Sequence, residues 1–449
     1  MTEPVNDERR PPDGDFPIGS AIFLTVAIFA CSIYANLSFA VRDAADFRYF
    51  PPFQPYVNAN TSHHLGGEAF NIARSLHAGN GFADPFTRHT GPTAWMPPIL
   101  PGILAGLLWL TGGSRDAVMG IVVFLQVFVL IGTGVLVLAL ARQTTRIPAA
   151  LVAMIYFLAL LCNFRFWFQT TRDCWLVLLA LDMVVAGLCW MKPLDSWRRA
   201  LAWGLLGGVV AQVNPIVGLT WAVMTFLTAM AQHRWPRLGV AALAAVLAVT
   251  PWTVRNYLVF GQWMPIKSNL AYELYQSQAL EPDGLMQRAT IELHPHSHGS
   301  VEAEAYDELG ESRYLDLKRQ QFLQAVRDDP GEFLARLGQR FRGATLWYVP
   351  FDRVHEPEQQ AWTIPISRAV HPLAFVALVI LVTSSVHRPL DAAQWSVIGV
   401  YVFFLLPYIG ASYMERYAVP LVGVKVLLVI WAIARLSFEP SNARCAKLC

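Results

Sequence analysis

Ten stretches of this chain are apolar almost throughout, at positions 17–41, 117–141, 147–163, 173–191, 200–213, 215–231, 238–254, 364–384, 394–410 and 417–436. A membrane crossing takes about 20 apolar residues, and inside a bilayer each backbone N–H and C=O must find its partner within the protein. Continuous apolar runs of this length satisfy that condition as helices. Only 15% of the 449 residues are charged and 55% are hydrophobic, whereas a soluble domain carries about 25% charged residues. The sequence therefore specifies an all-α polytopic membrane protein. The net charge of +2 carries no signal for nucleic acid, which is not an expected partner. The six cysteines show no CxxC spacing and lie mostly in or beside apolar runs, as small hydrophobes do. The first apolar run is longer than a signal h-region of about 7–15 residues and is expected to be retained as a span.

The stretch 95–109 is the ambiguous one, because a crossing there would invert every later span. The distribution of basic residues decides. With 95–109 lying at the surface, one side of the membrane collects Arg142 and Arg146, then Lys192, Arg198 and Arg199, then Arg234 and Arg237, then Arg388. Short basic loops mark the cytoplasmic side. Pro97, Pro98 and Pro101 also suit a bent interfacial helix better than a crossing. The two long connections, 42–116 and 255–363, then lie outside, in a bacterium in the periplasm. The chain divides into a bundle (1–254) that includes the first external loop, an external segment (255–363), and the C-terminal spans with a short cytoplasmic tail (364–449).

Four motifs occur in order along this frame: GEAFNIARSLHAGNGF with GPTAWMPPILPGILAGL behind it, TPWTVRNYLVFGQWMPIKSN, the stretch running from HPHSHGSVEAEAYDELGES to LARLGQRF, and MERYAVPL. Together they resemble bacterial membrane glycosyltransferases of the GT-C type, relatives of the family 39 polyprenyl-phosphate-sugar and protein mannosyltransferases. The resemblance implies a GT-C bundle of about ten transmembrane helices with juxtamembrane helices and a small, mainly helical external domain. It implies a multi-pass protein of the bacterial inner membrane with its active site facing the periplasm. There it would transfer a sugar, with inversion, from a polyprenyl-phosphate donor to a lipid, glycan or protein acceptor. Membrane lipids are the surrounding partners, and no cofactor is required, although a divalent metal stays open. A membrane transporter or lipid flippase is the competing function, and an inactive glycan- or lipid-binding relative a third.

The candidate residues follow from the chemistry of that transfer. A carboxylate must take the proton of the acceptor hydroxyl, and the family opens its first external helix on Asp, four residues before an aromatic. Here that position is Gly66, and the nearest carboxylate is Glu68. Glu68 is thus a candidate base, although an acidic residue in a first helical turn also complements the helix dipole. Asp173, at the external end of a span, is the alternative base and carries the same dipole reading. Arg255 and Arg416, at external span ends within the motifs, are candidates to hold the departing phosphate, since a planar guanidinium matches phosphate oxygens. His63, His64, Asp84, Arg88 and Lys267 are further substrate-binding candidates, with His89 in the same loop. His294, His296 and His298 alternate with Pro295 in a segment without a fixed scaffold, and no metal site is expected from them. Asp182 and Lys425 lie nine residues beyond Asp173 and Arg416. Both would sit about 13–14 Å below the outer helix ends, and an ion pair between them is expected. Topology reporters fused after Arg146 and after Gly284 are expected to report opposite sides; the same side for both would overturn this orientation.

Overall fold

The computed structural model describes residues 16–42, 65–354, 356 and 363–437. All regular structure among them is helical, apart from two isolated bridges, Ala83 with Pro92 and Leu285 with Tyr413. Eight helices among the described residues are long and apolar enough to cross a membrane: Ile18–Ala35 (within the longer helix Ile18–Arg42), Arg115–Thr144, Cys174–Met191, Pro215–Gln232, Trp235–Phe260, Thr363–Ser384, Ala392–Gly410 and Glu415–Ser437. The chain is an all-helical, multi-pass membrane protein.

Two of the ten expected spans are shorter. Ala149–Cys162 has 14 residues and Trp197–Val213 has 17. The second is also diluted by glycine, and the packing explains why. A Cβ at Gly204 would lie 2.2 Å from the Ala241 carbonyl oxygen, one at Gly208 2.5 Å from Ala248 Cβ, and one at Gly207 2.3 Å from the Trp221 ring. Glycine at these three positions lets the helix approach its two neighbours at backbone contact, the usual device for association within a bilayer. Hydropathy is exchanged there for closeness.

Contacts between helix ends separate the bundle into two ends. At one end Trp190 Nε1 donates to Gln143, Trp431 Nε1 to Thr144, Arg237 to the Leu194 carbonyl, and Arg435 to the Arg388 carbonyl. At the other, which we term the loop end, Gln126 reaches the Trp167 and Thr170 carbonyls, Asn214 donates to Tyr408, and Met286 N–H donates to the Tyr413 carbonyl. The helix Ile99–Leu110 starts and finishes at the loop end. Ala94 before it accepts from Ser268 N–H, and Gly113 behind it lies against His77. It packs on the helix Gly67–His77 through Ala69, Phe70, Ala73, Leu100, Leu104 and Leu108. The basic residues of the short connections gather at the end opposite the two long ones.

Those two long connections form one body. The helix Val301–Asp328 is capped by Ser300, whose side chain accepts from Ala303 N–H, with Glu302 and Glu304 in its first turn, as the helix dipole favours. It breaks at Gly310, where φ is 71° and ψ 164°, a backbone region open in practice only to glycine. The break turns the next residue, Glu311, into the protein. Its buried carboxylate accepts from Thr93 Oγ1, Ala94 N–H (2.8 Å), Ser268 Oγ (2.7 Å) and Tyr306 OH (2.9 Å). One side chain thus joins three separate stretches of chain. A second buried acid, Glu302, is paired with Lys318 at 2.7 Å and accepts from Tyr314 OH.

Asp182 and Lys425 do not pair, contrary to expectation. Among the described residues no ion pair joins them: Asp182 accepts from Thr133 Oγ1, and Lys425 lies within electrostatic reach of His371. The reason is angular. Gly423 faces Asp182, whose Oδ1 would be 3.9 Å from a Cβ placed there. Lys425, two residues on, is rotated by roughly 200° at 100° per residue and points away. Matched depth was the right inference and matched azimuth was not.

Two stability measurements follow. Glu311→Ala leaves four donors facing an empty site, and unfolding in detergent is expected to be easier by about 3 kcal/mol or more; an unchanged transition would show that the four bonds are dispensable. In a double-mutant cycle, Asp182→Asn and Lys425→Met are expected to be additive within about 0.5 kcal/mol, whereas a larger coupling would mean that the two groups meet.

Candidate active site

The helix Gly67–His77 buries Ala69, Phe70, Ile72 and Ala73 and docks on Trp175 and Leu176, the first turn of the span Cys174–Met191. Glu68, in the first turn of the short helix, and Asp173, which immediately precedes the span, both act on Arg416 and Arg172. Gly66, where the resemblance would place an acidic residue, has a backbone role: its φ is 83°, a value that an L side chain avoids. The chain turns into the helix there, and the first carboxylate comes two residues later.

Glu68 sits among positive and polar groups. Burial acts to raise its pKa. His294, His296, its own backbone N–H and Arg416 act in the other direction and hold it below the ordinary 4.5. The carboxylate therefore stays ionised at neutral pH. Among the described residues it belongs to no ion pair within 4 Å, so its oxygens remain available to a proton donor.

Asp173 occupies the N-cap position yet makes no side-chain cap bond. Its Oδ1 instead lies 3.6 Å from Nη1 of Arg416, both side chains being partly exposed. Arg416 lies over Tyr417, which stacks on Tyr408 at 4.5 Å, and the Tyr408 hydroxyl accepts from Asn214. Arg172 is the next guanidinium. Burial, then repulsion from Arg416, lowers its pKa to about 10, with Asp173 and Glu68 opposing the fall, so it too is charged at neutral pH. Two carboxylates and two guanidiniums thus meet at the loop end. Arg172 escaped the sequence reading, although it adjoins Asp173 at a span terminus.

His294 also escaped, having been weighed only as a metal ligand. Its ring sits against Tyr272 (5.0 Å), Trp95 (5.8 Å) and Phe86 (6.1 Å). The His296 backbone N–H donates to its Nδ1 at 3.1 Å, which leaves the ring proton on Nε2 in the neutral form. Burial depresses its pKa to about 4 against the pull of Glu68. At neutral pH the ring is therefore uncharged, and the lowering of Glu68 is then left to the other groups around it, its backbone N–H and Arg416 among them. The sequence signal for His294 is the HPHSH stretch, from which no metal site was expected.

The other candidates are engaged elsewhere. Arg255 was expected at the phosphate, but its Nη1 donates to the Thr93 carbonyl (2.7 Å) and Asn256 Oδ1 (3.0 Å), and its Nη2 to the Phe82 carbonyl (2.8 Å). Its guanidinium also lies against Trp252 and Phe82. It staples the first loop to the end of its span. Arg88 binds Asp307 through Nε, together with the Pro295 and Ala303 carbonyls. Asp84, at φ 56°, accepts from the N–H groups of Thr90 and Gly91 and from exposed His89. These two hold a loop in shape, in place of the substrate contacts expected of them. Lys267 pairs with Glu273 at 3.0 Å, and the field of Glu273 reaches Tyr408 and Tyr417, which puts that pair near the cluster. His63 and His64 lie outside the described residues. Among those described, no group of three or more His, Cys, Asp or Glu side chains is arranged to hold a metal ion. Comparison of the chain with family models, curated proteins and solved structures finds no match in any of the three.

Proposed function

We propose that this protein is a glycosyltransferase that works at the loop end of its bundle, drawing the sugar from a polyprenyl-phosphate donor. The supporting observation is the pairing pattern of the cluster: Glu68, an ionised carboxylate in no ion pair among the described residues, within electrostatic reach of Arg416, which is loosely paired with Asp173, and of a second guanidinium, Arg172. Base and anion holder are the two demands of the reaction, and here they lie side by side. Glu68 accepts the proton of an acceptor hydroxyl as its oxygen attacks the anomeric carbon. The bond from that carbon to the phosphate oxygen breaks, and the electron pair leaves with the lipid phosphate. Arg416, oriented by Asp173, and Arg172 stabilise the charge that develops there. Attack opposite the leaving group inverts the anomeric centre. The loop end is the periplasmic face of a bacterial inner membrane in this proposal, where a lipid-linked sugar takes the place of a sugar nucleotide. The acceptor is a lipid, glycan or protein hydroxyl presented on that side.

A transporter or flippase would draw on Asp182 and Lys425, which lie inside spans without pairing. Transfer of label separates the two. Purified protein incubated with radiolabelled polyprenyl-phosphate sugars and membrane extract is expected to yield a labelled acceptor. Movement of intact donor lipid across proteoliposomes without transfer would overturn the enzyme.

Variants assign the roles. Glu68→Gln keeps shape and loses the base, so kcat is expected to fall by about 100-fold or more with donor KM almost unchanged. Asp173→Asn releases Arg416 and is expected to raise donor KM more than it lowers kcat. The opposite pattern would make Asp173 the base. Because the fields around Glu68 hold it below 4.5, kcat is expected to stay level between about pH 8 and 5 and to fall only on further acidification. A fall centred near neutral pH would show that burial dominates.

A further inference from the structure

A small cavity of the loop end is lined by residues other than those of the Glu68 cluster. It measures about 180 Å³ and is lined by Asp283, Leu285, Gln339, Arg342, Gly343, Trp347 and Val349. Its depth relative to the bilayer follows from its neighbours. The helix Pro330–Thr345 touches the outer turns of the span Thr363–Ser384 twice, through the Phe341 ring on Phe375 (5.6 Å) and through His371 Nε2 on the Gly343 carbonyl (2.9 Å). Arg342 and Trp347 are therefore level with the start of a span, where lipid headgroups lie. Tryptophan and arginine both favour that zone.

The cation arrangement is specific. Two guanidiniums lie over the Trp347 ring, Arg342 at 5.8 Å and Arg368 at 4.9 Å from it. Among the described residues neither arginine has a carboxylate partner. Asp283, the acid of the cavity, is engaged by Arg353 through both oxygens, at 2.9 and 3.0 Å, so its charge is largely neutralised, while its free lone pairs and the Gln339 amide face the cavity. Leu334 and Phe341 of the same helix and Leu346 just beyond it are exposed apolar side chains, suited to acyl chains. Two unneutralised cations on an aromatic plate thus stand at headgroup level beside a small polar recess.

We propose that this is a binding site for an anionic phospholipid whose headgroup carries hydroxyls. The phosphodiester lies against Arg342 and Arg368, the polyol headgroup enters the recess toward Gln339 and Asp283, and the acyl chains run along Phe341 and Phe375. The bound lipid fastens the helix Pro330–Thr345 to the membrane. The site is independent of the glycosyl-transfer proposal.

The test is native mass spectrometry and thermal unfolding of the delipidated full chain in detergent. The probes are phosphatidylglycerol, phosphatidic acid, phosphatidylcholine, inorganic phosphate and polyprenyl monophosphate. Phosphatidylglycerol is expected to bind saturably and raise Tm, and phosphatidylcholine to do neither. Arg342→Gln with Arg368→Gln is expected to weaken phosphatidylglycerol by about tenfold or more, with Arg342→Lys and Arg368→Lys, which keep the charge, as the folded control. Gln339→Met is expected to abolish the preference for phosphatidylglycerol over phosphatidic acid. Equal binding to the double Gln variant and the wild type overturns the site, as does equal binding of phosphatidylcholine. Competition by inorganic phosphate at comparable concentration would mean a free-phosphate site. Displacement by polyprenyl monophosphate at lower concentration would make the occupant the lipid carrier, and either result overturns the phospholipid.

Discussion

The buried carboxylate of Glu311 is the contact on which the loop end depends. It accepts hydrogen bonds from residues 93 and 94, 268, and 306, so two connections with residues 117–254 of the bundle between them become one surface. An ionised acid inside a protein is tolerated only when its hydrogen-bonding capacity is filled, and four donors fill it. Gly310 makes the geometry possible by breaking the helix one residue earlier. Arg255 adds the second fastening, two loop carbonyls held from the end of the span Trp235–Phe260. With the loop fixed at both points, Phe86 and Trp95 are set against Tyr272, Tyr306 and His294. This aromatic wall borders Glu68, whose field reaches Tyr272.

That wall changes the electrostatics of the cluster. Burial against these rings strips water from a charged imidazole, which keeps His294 neutral at ordinary pH, and close to apolar rings a charge interacts more strongly with its neighbours than in water, so the position of each guanidinium matters. His294 receives the His296 backbone N–H at Nδ1, and this bond opposes protonation of that nitrogen independently of burial. A neutral ring beside Glu68 leaves the carboxylate ionised without neutralising it, as a base requires.

How much of this was legible in the sequence depends on what kind of information each feature needs. Span positions follow from one-dimensional runs, and Ile99–Leu110 could be kept at the surface because three prolines and the basic loops agreed. Glu68, Asp173 and Arg416 could be singled out because span ends and helix starts are local signals. Arg255 had the same local signal and a different fate, since its partners, the carbonyls of Phe82 and Thr93, lie more than 160 residues away and no side chain advertises them. Asp182 and Lys425 failed for a similar reason: depth is a linear count, whereas facing depends on how two helices are rotated in the bundle. Glu311 gave no sign at all, because an acid within DELGES on a polar helix reads as a solvated face until the kink at Gly310 is seen.

The arginines of the loop end differ in what their displacement would leave behind, and this decides which can meet a substrate anion. Arg255 and Arg340 hold backbone carbonyls, the latter at Ile409 and Gly410; moving either would take a donor from these acceptors, at a cost of about 1–3 kcal/mol for each buried group left unsatisfied. Arg353 grips Asp283 through two bonds near 3 Å and is equally committed. Arg416 differs on every count. Its contact with Asp173 is single, long at 3.6 Å, and open to solvent on both sides, whereas a well-formed charge-assisted bond measures about 2.7–2.9 Å. A phosphate could take up the free donors of that guanidinium with no carbonyl left unpaired, while Asp173 keeps it oriented. Loose pairing thus keeps a cation in place and still available, and among these four arginines only Arg416 has it.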